Sequence, residues 1–242
     1  MDSIKHFVHG VEKLGHRLDA RKIGAFERYL YEIRRVNHVL RIISTNDVER
    51  IPSRHFLDSL MPVLKGVLPV SGVIVDIGSG GGLPGIPLAI FLPGTKFVLV
   101  ESNQRKCAFL NLARRALSLD NLNVYCDRIE RLPERTPDSR YDVAVARAVG
   151  SIGQLVEWSG PILKPGGKLV CFKGPGPEEE IESAASAMEA QGMVWEATVS
   201  YEEGVVDAPT LVVFKKVRDG SPGNQEGTSY RKLSVRQQES HR

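Results

Sequence analysis

The segment that most constrains the fold is VIVDIGSGGGLPGIPLAIFLPGTKFVLVES, residues 73–102, in which a glycine-rich stretch separates two apolar runs. Val73–Ile77 predicts a buried strand, and Gly85–Phe91 predicts the helix that follows the glycines. Glycines adopt positive φ angles and let another molecule approach the backbone closely. Because ligands of an open parallel sheet bind beyond the carboxyl ends of its strands, the segment predicts a strand–loop–helix unit with a ligand against the loop.

An acidic residue follows the glycines at the end of the next predicted strand, Phe97–Val100. This residue, Glu101, is placed one strand–helix unit after the glycine loop. A carboxylate at that place accepts hydrogen bonds from the hydroxyls of a ribose. The loop and the acid together therefore predict a ligand that contains a nucleoside.

The glycine loop can be read in two registers. Gly80–Gly85 satisfies the dinucleotide pattern G-x-G-x-x-G, so a nicotinamide or flavin cofactor is one alternative. A glycine-rich turn that binds no ligand is another. Asp76–Gly82 reads instead as an acid two residues before G-x-G-x-G, and this resembles the S-adenosylmethionine loop of class I methyltransferases. The second register is the better match and predicts S-adenosylmethionine as the cofactor, with Asp76 near its methionine end. The loop glycines expected to contact the cofactor are Gly78, Gly80 and Gly82.

Apolar runs alternate with helical patterns from Gly72 to about Val217, which predicts an α/β fold with a mostly parallel sheet and helices on both faces. The predicted strands are Val73–Ile77, Phe97–Val100, Asn123–Cys126, Asp142–Ala146, Lys168–Phe172 and Leu211–Lys215. The helices predicted between the first five strands are Gly85–Phe91, Arg105–Leu117 and Ile152–Leu163.

Two further regions flank this domain. Residues 1–70 predict an N-terminal helical extension, since apolar residues such as Phe26, Leu30 and Ile33 recur at helix spacing. Residues 71–217 form the predicted methyltransferase domain. Residues 218–242 lose the apolar periodicity and predict a mobile, mildly basic tail.

Composition narrows the function classes. The 242 residues carry a formal charge of +3, too small by itself to establish a nucleic-acid partner. No apolar run approaches the roughly 20 residues that span a bilayer, and the N-terminus lacks the apolar core of a secretory signal. The three cysteines lack metal-ligand spacing and are expected to be buried thiols. These features predict a cytoplasmic protein without a metal or a membrane partner, and a monomer is expected.

Six segments resemble the bacterial RsmG (GidB) family of methyltransferases over roughly residues 25–217. They are RHFLDSL (54–60), DIGSGGGLPGIPLAI (76–90), VESNQRKCAFL (100–110), DRIERL (127–132), ARAVGSI (146–152) and LKPGGKLVCFKG (163–174). The resemblance implies a class I fold with an N-terminal helical extension. It also implies methyl transfer from S-adenosylmethionine to N7 of a guanine in 16S ribosomal RNA of the small ribosomal subunit.

The resemblance also implies roles for individual residues. It implies donor contacts at Gly78, Leu83, Ile129, Glu130 and Arg147. It implies an RNA-facing set at Arg54, His55, Arg128, Arg147 and Lys173, among which the catalytic candidates are Arg147, Lys173 and Arg128. The chain departs from the family pattern at two places. Arg41-Ile42-Ile43 stands where the family has Asn-Leu-Thr, and Tyr230-Arg231-Lys232 stands where it often has Tyr-Pro-Arg.

The acceptor chemistry agrees with guanine N7. An exocyclic amine acceptor commonly needs an Asn/Asp-Pro-Pro-aromatic motif, and a pyrimidine C5 acceptor needs a covalent cysteine; the sequence contains neither signature. N7 carries a free lone pair and loses no proton, so it requires no general base. We expect Arg147 or Lys173 to hold the guanine O6 or a phosphate.

Three matters stay open from the sequence. Arg28, Arg34, Arg35 and Arg41 either face RNA phosphates or pair with neighbouring glutamates such as Glu27 and Glu32. A methyltransferase of a small molecule or a protein is one alternative function. A nucleotide- or RNA-binding module without catalysis is another.

Overall fold

The computed structural model describes residues 2–136, 140–200 and 210–220. Within these ranges the strands form a seven-stranded sheet of order β3-β2-β1-β4-β5-β7-β6. The first five strands are parallel, and β7 runs antiparallel to both β5 and β6. The strands are β1 Val73–Ile77, β2 Lys96–Val100, β3 Leu122–Tyr125, β4 Tyr141–Arg147, β5 Leu163–Lys173, β6 Met193–Ser200 and β7 Thr210–Lys216.

Helices occupy both faces of the sheet. They are α1 Asp2–Lys13, α2 Ala20–Leu40, α3 Leu57–Leu64, α4 Gly85–Phe91, α5 Gln104–Ala116, α6 Leu132–Arg135, α7 Ile152–Ser159, α8 Glu178–Ser183 and α9 Ala185–Gln191. Side-chain caps start several of them: Asp19 caps α2, Asn103 caps α5 and Ser151 forms a capping box with Gln154 on α7. Between α2 and α3 lie a 3-10 turn, Thr45–Arg50, and a π-helical turn, Ile51–Phe56.

The strands alternate their apolar side chains between two hydrophobic clusters. On one face, residues such as Ile74 and Val145 pack against α1–α5. On the other face, residues such as Val75 and Leu169 pack against α7–α9. The N-terminal helices share the first cluster through an aromatic group in which the rings of Phe7 and Phe26 lie 4.7 Å apart. The extension is therefore fixed to the sheet by a common core.

The predicted fold class is confirmed, and several elements lie close to their predicted limits. β1 and α4 have the predicted bounds. The predicted end of α7 at Leu163 is wrong, because the helix stops at Ser159 before Gly160 and Pro161. The predicted start of the fifth strand at Lys168 is also wrong, because β5 begins at Leu163 and its register against β4 shifts around the Pro-Gly-Gly segment.

The sequence analysis missed β6 and the two helices before it. β6 lies at the edge of the sheet, where Trp195 remains 47% exposed and a register shift follows it. An edge strand buries only part of one face, so its apolar pattern is weak. The β-branched and aromatic run MVWEATVS after Gly192 was the available signal.

Two searches of the described residues give negative results. No helix there has the length and apolar character needed to cross a membrane. In the same ranges, no group of three or more His, Cys, Asp or Glu residues is arranged to hold a metal ion.

The cysteines are free thiols, of which Cys107 and Cys171 are buried and Cys126 is half-buried. The predicted tail lies outside the described residues from 221 onward.

Candidate functional site

The glycine loop joins β1 to α4 at the carboxyl edge of the sheet. Gly78, Gly80 and Gly82 have φ angles of +67°, +57° and +92°, which side chains other than glycine rarely adopt. A Cβ added at Gly78 would collide with Val149, and one added at Gly82 would collide with Ile86. A Cβ at Gly80 would meet only the carbonyl oxygen of Gly78, at 3.9 Å. The loop is thus packed from behind and open at Gly80.

Glu101 ties this loop to the end of β2. Its Oε2 accepts a hydrogen bond from the Gly80 backbone N–H at 2.8 Å, and its Oε1 accepts one from the Asn103 N–H at 2.8 Å. Each carboxylate oxygen has a further lone pair that can accept another donor. The predicted ribose contact therefore lies beside the open side of the loop, held by two backbone groups.

Asp76, which the sequence analysis expects near the methionine end of the donor, is buried at the end of β1. Its Oδ2 accepts a hydrogen bond from the Gly85 N–H at 2.9 Å, and its Oδ1 has no hydrogen-bond partner among the described residues. Burial raises the pKa of Asp76 to about 7, against the effect of the Gly85 and Ser79 hydrogen bonds. A Cβ at Gly85 would lie 2.6 Å from the Asp76 carboxylate, so glycine is needed for this close approach.

The N-terminal extension also contacts the glycine loop, which the sequence analysis did not predict. The Tyr29 hydroxyl donates to the Gly81 carbonyl oxygen at 2.5 Å, and the Tyr29 ring stacks on Phe56 at 5.3 Å. Burial raises the pKa of Tyr29 well above its ordinary value, so the hydroxyl stays protonated and can donate. Ile42 packs so closely on Gly81 that a Cβ there would collide with it. Tyr29 belongs to the apolar stripe of α2, but its partner is 52 positions away and cannot be read from periodicity.

Arg147 ends β4 and is held by the segment that contains the start of α3. Its Nη2 lies 2.8 Å from Asp58 Oδ2 and 2.8 Å from His55 Nδ1. Its Nη1 donates to the His55 carbonyl oxygen and to Ser59 Oγ, each at 3.3 Å. The Arg147 side chain is 16% exposed, so it reaches solvent only in part. The structure brings Arg147 and His55, two members of the predicted RNA-facing set, together and directs the imidazole toward the arginine.

Lys173 ends β5 and forms an ion pair. Its Nζ lies 2.7 Å from Glu180 Oε1 and donates to the Gly150 carbonyl oxygen at 3.2 Å. The same glutamate oxygen accepts from the Ile152 N–H at 2.8 Å. A cavity of about 410 Å³ adjoins Lys173 and is also lined by Glu179. Lys173 therefore lies beside acidic groups that repel phosphates.

The remaining predicted residues lie in the glycine loop, after β3 or in the extension. Arg128 and Glu130 are exposed, Ile129 is buried between them, and Leu83 is half-buried. Arg54 Nη1 lies 3.2 Å from Asp47 Oδ1.

Three arginines of α2 are paired with acids. Arg28 and Arg35 both pair with the buried Glu32, at 2.9 and 2.8 Å, and not with Glu27. Arg34 pairs with Glu49 at 2.8 Å.

The sheet order, the open glycine loop and the carboxylate at the end of β2 define a class I S-adenosylmethionine-dependent methyltransferase fold. The cofactor fits the residues present, because Gly80 leaves space for it and Glu101 retains free lone pairs beside that space. Solved structures with the same fold include fibrillarin, a pre-rRNA processing protein from Methanococcus jannaschii. Its TM-score is 0.53 at 19% identity, and the match covers 70% of this chain and 77% of that one. NSun6 from Pyrococcus horikoshii, solved with SFG, gives a TM-score of 0.56 at 14% identity, covering 67% and 52%.

Comparison of the amino-acid sequence with known proteins identifies the family of this chain. The family described as GidB, rRNA small subunit methyltransferase G, matches residues 22–207. A curated relative, ribosomal RNA small subunit methyltransferase G of Carboxydothermus hydrogenoformans, is 34% identical over 209 residues, which cover 86% of this chain and 88% of the relative. The protein of the same name from Rubrobacter xylanophilus is 40% identical over 187 residues, covering 75% and 71%. The chain belongs to this family, and the resemblance drawn from its motifs is confirmed.

Proposed function

We propose that this chain transfers a methyl group from S-adenosylmethionine to N7 of a guanine in 16S ribosomal RNA of the small subunit. The observation that carries the proposal is the glycine loop, open at Gly80 and bound from behind by Glu101, in a chain that matches the family over residues 22–207. The printed names of the relatives support the ribosomal RNA substrate. The choice of N7 is supported by the missing signatures of amine and C5 chemistry.

Residues on the β1–β2 side of the edge hold the donor. Glu101 accepts the ribose hydroxyls with its free lone pairs, and the bare backbone at Gly78 and Gly80 allows the close approach that the ligand needs. Ile129 offers an apolar contact and Glu130 a polar one at the end of β3, where the fold places the adenine. S-adenosylmethionine, when bound, supplies a methyl group already activated by the sulfonium.

Residues on the β4–β5 side align the acceptor. Alignment alone contributes on the order of 7–11 kcal/mol when the reacting atoms are well placed. Because N7 loses no proton, the site needs donors that orient the base and no general base. Arg147 holds the guanine O6 or a neighbouring phosphate, and the exposed Arg128, which follows β3 on the other side of β1, binds a phosphate of the RNA. Lys173 fixes the loop after β4 through Gly150, and it joins the RNA contact only by releasing Glu180.

The protein as a whole acts as a cytoplasmic monomer, in which residues 71–217 bind the donor and residues 1–70 face the RNA. Light scattering of the purified protein, alone and with small subunits, measures the oligomeric state. Removal of residues 221–242 measures whether the tail contributes to RNA binding.

Mapping of N7-methylguanine in 16S ribosomal RNA tests the proposed reaction. We expect one site to lose its chain cleavage by borohydride and aniline in cells without this protein, and to regain it when the protein is restored. Transfer of a labelled methyl group in vitro to small subunits, naked RNA, proteins and metabolites identifies the acceptor class. An unchanged cleavage pattern in cells, together with labelling of metabolites only, would replace the proposal with the small-molecule alternative.

A further inference from the structure

An ion cluster links the N-terminal extension to the end of β4. Arg147 contacts residues that precede it by 88 and 92 positions, and the contacts come from the π-helical turn and the first turn of α3. π-helical turns often occur at functional sites. The cluster lies at the carboxyl edge of the sheet, where the acceptor is aligned.

The hydrogen bonds of this cluster involve the two terminal nitrogens of the Arg147 guanidinium. Nη1 and Nη2 make every hydrogen bond that Arg147 forms, whereas its Nε has no partner among the described residues. The guanidinium carbon lies 6.0 Å from the centre of the Phe172 ring. The scaffold thus holds the terminal nitrogens in a fixed plane and leaves one N–H donor for another molecule.

The cluster is poorly arranged for stability alone. Asp58 is buried, and its Oδ1 has no hydrogen-bond partner in the described part of the chain; the same holds for His55 Nε2. Buried polar atoms without partners cost stability, and a buried ion pair often contributes little net stability. Burial lowers the pKa of His55 to about 4, so the neutral ring can accept from Arg147 at Nδ1. An arrangement that retains unpartnered buried polar atoms despite their cost in stability fits a role in orienting the Arg147 side chain.

We propose that Asp58 and His55 are positioning residues, which fix the guanidinium of Arg147 so that its Nε–H can bind the acceptor guanine or its phosphate. The inference rests on the proposed function, and it adds that the extension takes part in the reaction through Arg147. In this proposal Asp58 and His55 affect the reaction through Arg147.

The first experiment compares two carboxylates that each pair with one cation. Asp58→Asn removes the charge beside Arg147, and Asp142→Asn removes the charge beside Lys164, 2.7 Å away at the opposite edge of the sheet. We expect Asp58→Asn to lower kcat/KM for small-subunit methylation by about 10–100-fold, since slight misplacement of an aligning group costs on that order. Asp142→Asn keeps kcat/KM within about 2-fold, because its ion pair lies outside the site. Equal activity of the two variants would overturn the inference.

A double-variant cycle separates positioning from general stabilisation. If Asp58 acts only through Arg147, Asp58→Asn costs no further activity in an Arg147→Ala background. Losses that multiply in the double variant would assign Asp58 a separate role and overturn the inference.

A second pair of variants decides the matter if Asp58→Asn does not fold. His55→Asn keeps an acceptor near the position of Nδ1 and should retain activity, whereas His55→Leu removes it and should lose about 10-fold or more. Equal activity of these two overturns the inference. Wild-type protein that methylates nothing in small subunits would contradict the proposed function instead, so the two failures are distinct.

Discussion

The two halves of the carboxyl edge are built in different ways. On the β1–β2 half, Asp76 and Glu101 bind backbone amides of the loop itself, across 9 and 21 positions of sequence. On the β4–β5 half, Arg147 binds side chains and a carbonyl that lie 88–92 positions away. The two carboxylates of the donor half are therefore bound by backbone groups close to them in sequence, to which the extension adds the contact of Tyr29 with Gly81. The hydrogen bonds of Arg147 in the acceptor half, in contrast, come from the extension.

This difference has a functional consequence. Backbone amides fixed by a strand and a helix present a rigid site, which suits a cofactor that does not vary. Side-chain ion pairs between distant segments can be changed without altering the donor loop. We therefore expect acceptor specificity in this fold to follow the extension, and donor binding to follow the loop.

Glu101→Ala gives the strongest test of the donor half. The change removes the ribose acceptor and leaves the Gly80 and Asn103 amides without their carboxylate. Hydrogen bonds to charged groups contribute about 1.5–3 kcal/mol each, so we expect the Kd for S-adenosylhomocysteine to rise on the order of 10²–10³-fold. Calorimetry measures this Kd, and Glu157→Ala, an exposed acid on α7, serves as the control. Unchanged affinity would place the donor elsewhere.

Asp76→Asn tests the burial of charge behind the donor loop. The folded-state pKa of about 7 lies above the ordinary value, so the folded protein binds more protons than the unfolded chain between about pH 4 and pH 7. The contribution of Asp76 to stability should therefore fall as the pH rises through this window, by at most about 1.4 kcal/mol per pH unit, while the lowered pKa of His55 contributes a rise in its lower part. We expect Asp76→Asn to remove only the falling contribution, so that between about pH 4.5 and 7.5 the stability of the variant in urea unfolding rises with pH relative to that of the wild type.

The control for this measurement is Asp120→Asn, at an exposed position. It should leave the pH dependence of stability unchanged. If the pH dependence of Asp76→Asn is the same as that of the wild type, the Asp76 carboxyl does not titrate with a raised pKa in the folded protein.

The comparison of the two halves also shows what the sequence could predict. The strand, the glycine loop and Glu101 follow fixed spacing within one unit, so β1 and α4 were predicted with their observed bounds and the acid was found at the end of β2. Local periodicity and turn chemistry suffice where all the partners lie in one short segment.

The acceptor half could not be predicted in the same way. The sequence indicated Arg147 and Lys173 but not Asp58 or Glu180, because an ion pair leaves no periodic signal across distant positions. It also gave no direction for the side chains, so it did not predict that the Asp76 carboxylate accepts from the Gly85 N–H at the start of α4. These orientations depend on the packing of the extension against the sheet, which only the tertiary structure defines.

Tyr29→Phe tests the contact by which the extension supports the donor half. The variant keeps the stack on Phe56 and leaves the buried Gly81 carbonyl without its donor, which costs about 1–3 kcal/mol of stability. We also expect a several-fold higher Kd for S-adenosylhomocysteine. Tyr31→Phe is the matched control, since Tyr31 is 56% exposed on the same helix. If Tyr29→Phe loses stability but its affinity for S-adenosylhomocysteine is unchanged, the extension contributes to the acceptor half and not to donor binding.

Arg41→Gly examines the turn that follows α2, whose Ile42 packs against the glycine loop at Gly81. Arg41 has a φ of +46° at the end of α2, and the family pattern has Asn there, a residue that tolerates this conformation. Relief of that strain, offset by the chain entropy of glycine, should raise stability by about 0.5–1 kcal/mol.

Ser118→Gly is the control for Arg41→Gly, because Ser118 has a φ of +51° far along the chain, after α5. Both variants should gain stability in urea unfolding. Only Arg41 adjoins Ile42, which packs on Gly81, so only Arg41→Gly can change donor affinity. We expect that affinity to stay constant, because the Asn37 side chain holds Ile43 through two hydrogen bonds of 2.9 Å and fixes the segment without help from residue 41. A weaker affinity in Arg41→Gly alone would mean that the donor half depends on the turn after α2 as well as on the Tyr29 contact.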